Sequence, residues 1–114
     1  MKALVYTDTL ELQYRDEPDP VPGPGEALIK IEAVGICGSD MHVYHGDMDW
    51  RVGDHRVIGH EMCGEVVAVG DGVTSVVPGE RVVVRPTVSC GTCAACTRGY
   101  GHVCQNLKIL GMDA

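Results

Sequence analysis

The sequence predicts a mainly β domain, a small barrel with an inserted metal-binding lobe. Short runs of alternating apolar and polar residues recur along the chain, and they are typical of half-buried strands. Fifteen Gly and six Pro residues supply many turns. Before the cysteine-rich segment, no helical periodicity lasts longer than two turns. The 114 residues provide material for one modest core, so we expect a single domain.

Five strands are predicted in chain order. Residues 3–6 and 10–14 alternate around a turn former, Asp8, and are predicted to form a hairpin. Residues 15–26 contain four prolines, which remove backbone donors, so this segment is predicted to be a connecting loop. The remaining predicted strands are 27–36, 61–70 and 81–85.

The segment 38–58 is polar, rich in Asp and His, and has no clean period. We therefore predict a loop with one helical turn that starts near Ser39 or Asp40. Long loops inside compact domains are usually functional. The preceding strand ends just before Cys37, at the entrance of this loop.

Four cysteines in the pattern C-x2-C-x2-C-x7-C predict a closed structural zinc site: Cys90, Cys93, Cys96 and Cys104. Two-residue spacers let one tight turn present several thiolates, and the longer loop returns the fourth. The alternative is a pair of disulfides, which is disfavoured because nothing in the sequence indicates secretion. We expect the lobe to span 86–108.

A second group of ligand types stands at two predicted strand boundaries. Cys37 follows one strand, and His60 with Glu61 stands at the start of another. A catalytic zinc keeps few protein ligands, so that water or substrate can occupy the open position. On the residues alone, a buried thiol and a surface imidazole are the commoner explanation.

Charge and hydropathy exclude several classes of partner. The formal charge is −7 and the basic residues are scattered, which disfavours nucleic acid. No window approaches the roughly 18 apolar residues of a membrane span, and the first apolar run is too short for a signal peptide. We expect a cytoplasmic protein, where six cysteines suit metal binding better than disulfides.

Four stretches together resemble the zinc-dependent medium-chain alcohol dehydrogenases, nearest to the sorbitol, polyol and threonine dehydrogenase branch. They are G-I-C-G-S-D-M-H at 35–42, G-H-E at 59–61, G-E-V-V-A-V-G at 64–70, and the four-cysteine segment. The resemblance covers essentially the whole chain. It implies a GroES-like β-barrel with a catalytic and a structural zinc, followed in the parent enzyme by a Rossmann domain that binds NAD or NADP.

The resemblance also implies roles for individual residues. Cys37 and His60 would bind the catalytic zinc, and Glu61 would be either a third ligand or a carboxylate just behind the metal. Asp40 would accept a hydrogen bond from the second ring nitrogen of His60, and a helix N-cap is an equally compatible role for it. Ser39 would take the proton of the bound alcohol.

His42 stands three residues after Ser39, where the resemblance implies that it passes the proton on to solvent; a plain surface histidine is the alternative. The implied reaction is activation of a small alcohol or polyol by zinc, followed by hydride transfer to nicotinamide. The resemblance further implies a homo-oligomer.

We expect residues 1–114 to be an incomplete GroES-like domain. We expect no Rossmann domain within these residues, since Gly70-Asp71-Gly72 lacks the third glycine and the helix of the dinucleotide fingerprint. Residues that would bind the nicotinamide cofactor are therefore not identified. Two hypotheses follow: the catalytic-domain portion of a dehydrogenase, or a free-standing zinc-binding GroES-like module without activity.

Overall fold

A computed structural model describes residues 1–113. The chain opens with an antiparallel hairpin of β1 (Lys2–Asp8) and β2 (Glu11–Asp16), as predicted. The turn consists of Thr9 and Leu10 and not of the residues around Asp8, because Asp8 ends β1 and Leu10, predicted to begin the second strand, occupies the turn with φ 61°. The N–H of Leu10 donates to the carbonyl of Tyr44 at 2.7 Å, which helps to hold this conformation.

A second sheet contains β3 (Ala27–Gly35), β5 (Glu61–Val69) and β6 (Arg81–Val83), in the order β3-β5-β6. β3 and β5 pair antiparallel along their length, with Gly35 opposite Glu61. Gly64 is required at the centre of this pair, since a Cβ there would lie 2.1 Å from the carbonyl oxygen of Lys30. The sheet thus brings the end of β3 and the start of β5 side by side.

The predicted loop at 38–58 is more ordered than expected. It contains α1 (Gly38–Tyr44), α2 (Asp49–Val52) and β4 (Arg56–Val57), and β4 pairs with β1 to give the sheet order β2-β1-β4. The predicted helix start near Ser39 is confirmed, because α1 begins at Gly38, but the prediction of a single turn is wrong. These elements are short and bury few apolar side chains, so they leave no periodic signal in the sequence.

The buried core joins the first hairpin to the two helices. Tyr6, Val43, Val52 and Met112 form one cluster, and each is almost completely buried. The hydroxyl of Tyr6 donates to Asp49, so the buried phenol has a partner. Burial, with the adjacent Asp49 carboxylate, raises the pKa of Tyr6. α1 is thereby fixed against β1, and its first turn is held in place.

The cysteine-rich segment has its own small elements. They are β7 (Thr87–Val88), α3 (Ala94–Thr97), a 3-10 turn (Gly101–Val103) and β8 (Lys108–Ile109), and β7 pairs with β8. Just after β8, Asp113 accepts two hydrogen bonds from Arg51 of α2 at 2.6 Å each. This ion pair ties the segment that follows the lobe to α2.

The predicted mainly β class is confirmed. Among residues 1–113, no helix is long and apolar enough to cross a membrane.

Candidate metal centres

The four cysteines of the lobe converge on one point. Their sulfur atoms lie 3.4 Å apart for Cys90 and Cys104, 3.5 Å for Cys93 and Cys96, and 3.9 Å for Cys93 and Cys104. Tetrahedral zinc with bonds of about 2.3 Å separates its sulfur ligands by about 3.8 Å. None of the six cysteines forms a disulfide. The donor set and its spacing therefore fit a four-thiolate zinc.

Local backbone geometry presents these thiols. Cys93 caps α3, and glycines on either side adopt positive φ, 74° at Gly91 and 85° at Gly99, where the chain reverses around the cluster. The backbone N–H groups of Cys90 and Asn106 both donate to the sulfur of Cys104 at 3.3 Å. Such donors stabilise thiolate, the form that binds metal.

The thiols differ in how easily they lose a proton. Backbone N–H groups of Thr92 and Cys93 lower the pKa of Cys90 to about 5. The N–H groups of Cys96 and Gln105 also lower the pKa of Cys93. Burial raises the pKa of Cys96 to about 11. A cation at the centre would favour the thiolate form of every cysteine in the cluster, including Cys96.

The second cluster combines Cys37, His60 and Glu61. One ligand atom from each lies within 4.8 Å of the others. His60 is buried, Cys37 is half-buried and Glu61 is exposed, so the cluster is closed on one side and open on the other. Glu61 lies over Gly35, where a Cβ would be 2.6 Å from its Oε2. A glycine at this position leaves space for the carboxylate.

Both ring nitrogens of His60 face a polar side chain. Ser39 Oγ lies 3.2 Å from Nε2, and Asp40 Oδ1 lies 3.4 Å from Nδ1. The side chains of Asp40 and His60 are each 10% exposed, and these two atoms, Oδ1 and Nδ1, have no other hydrogen-bond partner. A proton on Nδ1 would point to Asp40 and leave Nε2 free to bind a metal beside Ser39.

Asp40 has a second contact that shapes the site. Its Oδ2 accepts a hydrogen bond from the N–H of Cys37 at 2.8 Å. Cys37, and not Asp40, is the N-cap of α1, so the predicted capping role of Asp40 is corrected to a partner of the cap residue. One carboxylate therefore positions both candidate ligands that flank the helix start.

The side chain of His42 faces Asp47 and solvent. Its Nδ1 lies 3.1 Å from Oδ2 of Asp47, and its side chain is 66% exposed. The hydroxyl of Ser39 contacts Nε2 of His60, as described above. Two contacts were not anticipated from the sequence: that of Asp47 with His42, and the close approach of Gly111 to Gly59, where an added Cβ on Gly111 would overlap the carbonyl oxygen of Gly59. Nothing in the local sequence indicates the contact between His42 and Asp47. Only the glycine residues themselves indicate the close approach of Gly111 to Gly59.

The fold and the two clusters define a mainly β domain with one closed and one open candidate zinc site. The family model described as the alcohol dehydrogenase GroES-like domain matches residues 23–113. The chain belongs to this family, and its predicted resemblance to the GroES-like part of these dehydrogenases is confirmed.

Three known proteins illustrate the relationship. The chain is 51% identical over 92 residues to 2-dehydro-3-deoxy-L-galactonate 5-dehydrogenase of Pseudoalteromonas atlantica, covering 81% of this chain and 27% of the relative. The crystal structure of the alcohol dehydrogenase RspB of Escherichia coli CFT073 with NADH matches with a TM-score of 0.91 and 43% identity, covering 100% of this chain and 33% of the other.

The third is the cobalt- and zinc-bound thermostable alcohol dehydrogenase of Pyrobaculum aerophilum. It matches with a TM-score of 0.90 and 32% identity, covering 100% of this chain and 36% of the other. The chain thus spans about one third of the length of the relatives that it matches.

Proposed function

We propose that this chain is the zinc-binding catalytic portion of an NAD(P)-dependent dehydrogenase that acts on a small alcohol or polyol. The observation that carries the proposal is the convergence of Cys37, His60 and Glu61 at the junction of β3, α1 and β5, with Asp40 behind the histidine. The four lobe cysteines would hold a structural zinc. The lobe at 86–108 would stabilise the domain without taking part in the reaction.

Each residue of the open site has a separate task. Cys37 as thiolate and Nε2 of His60 would hold the metal, and Glu61, exposed on the open side, would be the third ligand. Zinc bound there would supply Lewis acidity, which lowers the pKa of an alcohol hydroxyl. Asp40 would fix the His60 ring by accepting the Nδ1 proton.

Ser39 would receive the proton that the alcohol releases. Its hydroxyl lies next to Nε2 of His60, and therefore beside the position that a metal on that nitrogen would occupy. His42 and Asp47, both exposed, would then carry the proton to solvent. An exposed imidazole next to a carboxylate suits that step because it exchanges protons with water.

Hydride transfer would require NAD or NADP held by another part of the enzyme. The RspB structure contains NADH, and this chain corresponds to one third of that protein. Residues 1–114 would then be an incomplete GroES-like domain of a cytoplasmic, homo-oligomeric enzyme. The second candidate, a free-standing zinc-binding module without activity, is favoured by the exposure of Glu61, since a weak third ligand would leave the site poorly occupied.

Cobalt substitution separates the two candidates. Cobalt(II) replaces zinc in thiolate sites and has visible bands that depend on its ligands. If the open site binds substrate, imidazole and a simple alcohol will change the bands of the cobalt-loaded chain, and Cys37→Ala will abolish the change. The bands of the lobe will stay constant in both proteins. A ligand-insensitive spectrum from a chain with two bound cobalt ions would favour the inactive module.

A further inference from the structure

A tight turn follows the lobe and lies against the residue that precedes His60. In this turn the carbonyl of Ile109 accepts hydrogen bonds from the N–H groups of Met112 at 3.1 Å and of Asp113 at 2.9 Å. Gly111 is the middle residue of the turn and has a φ of 79°. We call the segment from Ile109 to Asp113 the post-lobe turn.

Gly111 packs on the peptide unit that joins Gly59 to His60. A Cβ added to Gly111 would overlap the carbonyl oxygen of Gly59, and it would lie 2.9 Å from the carbonyl carbon of that residue. A side chain cannot approach rigid backbone atoms so closely unless one of the two segments moves. The contact between the segments therefore requires a glycine at position 111, in addition to the requirement set by the positive φ.

The post-lobe turn is anchored to the rest of the fold. Met112 is 3% exposed and belongs to the core cluster, and Ile109 packs against the same cluster. Asp113 accepts two hydrogen bonds from Arg51 and a third from the N–H of Ile109, each at 2.6 Å. Because these contacts hold the turn in place, an atom added at Gly111 would displace the facing segment and not the turn.

The facing segment leads directly into the open site. Ile58, the residue before Gly59, packs against the core cluster and is therefore held in place. The residue after Gly59 is His60, whose ring nitrogens lie 3.2 Å from Ser39 Oγ and 3.4 Å from Asp40 Oδ1. A displacement of Gly59 would therefore be passed on to His60 and would disturb both contacts. Functional sites need their side chains within about 0.5 Å of the productive geometry.

We propose that Gly111 is a positioning residue of the open site, because its contact with Gly59 determines where His60 presents Nε2. The inference rests on the proposed function, in which Nε2 of His60 binds the catalytic zinc. Gly111 touches neither the metal nor the substrate. The hydrogen atom in place of a side chain lets the post-lobe turn support the backbone before His60 without displacing it.

The test compares two glycines that have nearly the same backbone conformation. Gly111→Ala adds a methyl group at φ 79°, where it overlaps Gly59. Gly72→Ala adds the same group at φ 81°, where nothing lies within 4 Å. Both variants carry the strain of an alanine at positive φ, and only the first carries the overlap.

The measurement is cobalt(II) binding at the open site. Zinc, which has no visible bands, first fills the lobe, and cobalt is then titrated into each chain. Gly111→Ala should weaken cobalt binding about 10-fold or more, as loss of other groups that support metal-binding histidines does, and should change the cobalt bands. Before cobalt is added, the NMR signals of the His60 ring should also shift in this variant. Gly72→Ala should match the wild type in all three readouts.

Unchanged cobalt affinity and His60 signals in Gly111→Ala would overturn the proposal. Equal losses in Gly72→Ala would also overturn it, since backbone strain alone would then explain the effect. A wild-type chain that takes no cobalt at the open site would contradict the proposed function, and the His60 signals, which need no metal there, would still decide the role of Gly111.

A second variant covers the case in which Gly111→Ala loses the lobe zinc or unfolds. Arg51→Ala removes the anchor of Asp113 and loosens the post-lobe turn without adding an atom to it. Weaker cobalt binding together with shifted His60 signals in this variant would support the proposal. Wild-type values for both would overturn it.

Discussion

The two candidate metal centres differ in how the chain supplies their potential ligands. The lobe takes four sulfurs from one segment of 15 residues, and turns and backbone donors inside that segment hold them. The open site takes one ligand from the end of β3 and two from the start of β5, so its geometry depends on the pairing of two strands. A local site can form by itself, whereas a site between strands can form only with the fold. The first suits a structural metal and the second an exchangeable one.

The largest expected effect is loss of the zinc and of the folded structure of the lobe. Structural zinc in zinc-finger peptides binds with about 10 to 16 kcal/mol, so removal of one thiolate should empty the site and unfold the segment 90–104. We expect Cys93→Ser to lose one zinc equivalent and to become sensitive to protease in this segment. Metal analysis and limited proteolysis measure both.

Cys63→Ser is the matched control for this loss. Cys63 is half-buried on β5 and belongs to neither cluster, so this variant should keep the metal content of the wild type. Full zinc and intact protease resistance in Cys93→Ser would contradict the closed-site assignment.

The next largest effect concerns catalysis by the chain alone. Placing the nicotinamide carbon within about 3 to 3.5 Å of the substrate supplies on the order of 7 to 11 kcal/mol of the barrier reduction. Among the described residues, we find no phosphate-binding turn followed by a helix that would hold the dinucleotide. The zinc-loaded chain should therefore not reduce NAD or NADP with sorbitol, threonine, glycerol or simple alcohols.

An absorbance assay for the reduced cofactor checks this expectation. Cofactor reduction by the wild-type chain that disappears in Cys37→Ala would contradict it, and would make the open site catalytic without a further domain.

A smaller effect is expected from the carboxylate behind the open site. Loss of an outer-shell partner of a metal-binding histidine usually costs 10- to 100-fold in affinity, so Asp40→Asn should weaken zinc at the open site by about that factor. Asp47→Asn is the matched control, because Asp47 faces the exposed His42. Calorimetric titration of zinc into the two variants compares their zinc affinities. Equal losses of affinity in both variants would exclude a positioning role for Asp40.

The smallest effect concerns the ion pair between α2 and the segment that follows the lobe. Arg51 and Asp113 are partly buried, at 23% and 18% exposure, so Arg51→Ala should cost about 1 to 2 kcal/mol at pH 7. The guanidinium of Arg51 lowers the pKa of Asp113 below its ordinary 3.8. The stabilisation is thus complete above that value and is lost as pH falls through the lowered pKa.

Denaturant unfolding at neutral and acid pH measures this pH dependence. The difference between wild type and Arg51→Ala should shrink in acid, whereas the exposed Arg85→Ala should have little effect at either pH. A difference that grows in acid would contradict the role of this pair.

The lobe was the part of the molecule that the sequence predicted best, because its ligand spacing is local. The five predicted strands are also present, since alternating β-branched residues mark them. The residues of the open site were suggested by family resemblance more than by spacing, because 23 positions separate Cys37 from His60 and no local pattern joins them. Their contact depends on the β3–β5 register.

Other features of the fold could not be predicted from the sequence. α1 buries only Asp40 and Val43, which is too few to give a helical period. Leu10 in a left-handed turn goes against its residue type, and the contact with Tyr44 is what holds it. Arg51 and Asp113 are 62 residues apart, so their pairing could be seen only in the fold.

The difference between the two centres is tested most directly by counting zinc during mild chelation. The wild-type chain should bind between one and two zinc ions and fall to one, and the remaining ion should be absent in Cys93→Ser. Cys37→Ala should start near one and lose nothing under the same treatment. Two zinc ions that resist the chelator equally, or a lobe that loses its zinc before the open site does, would contradict the assignment of a closed and an open centre.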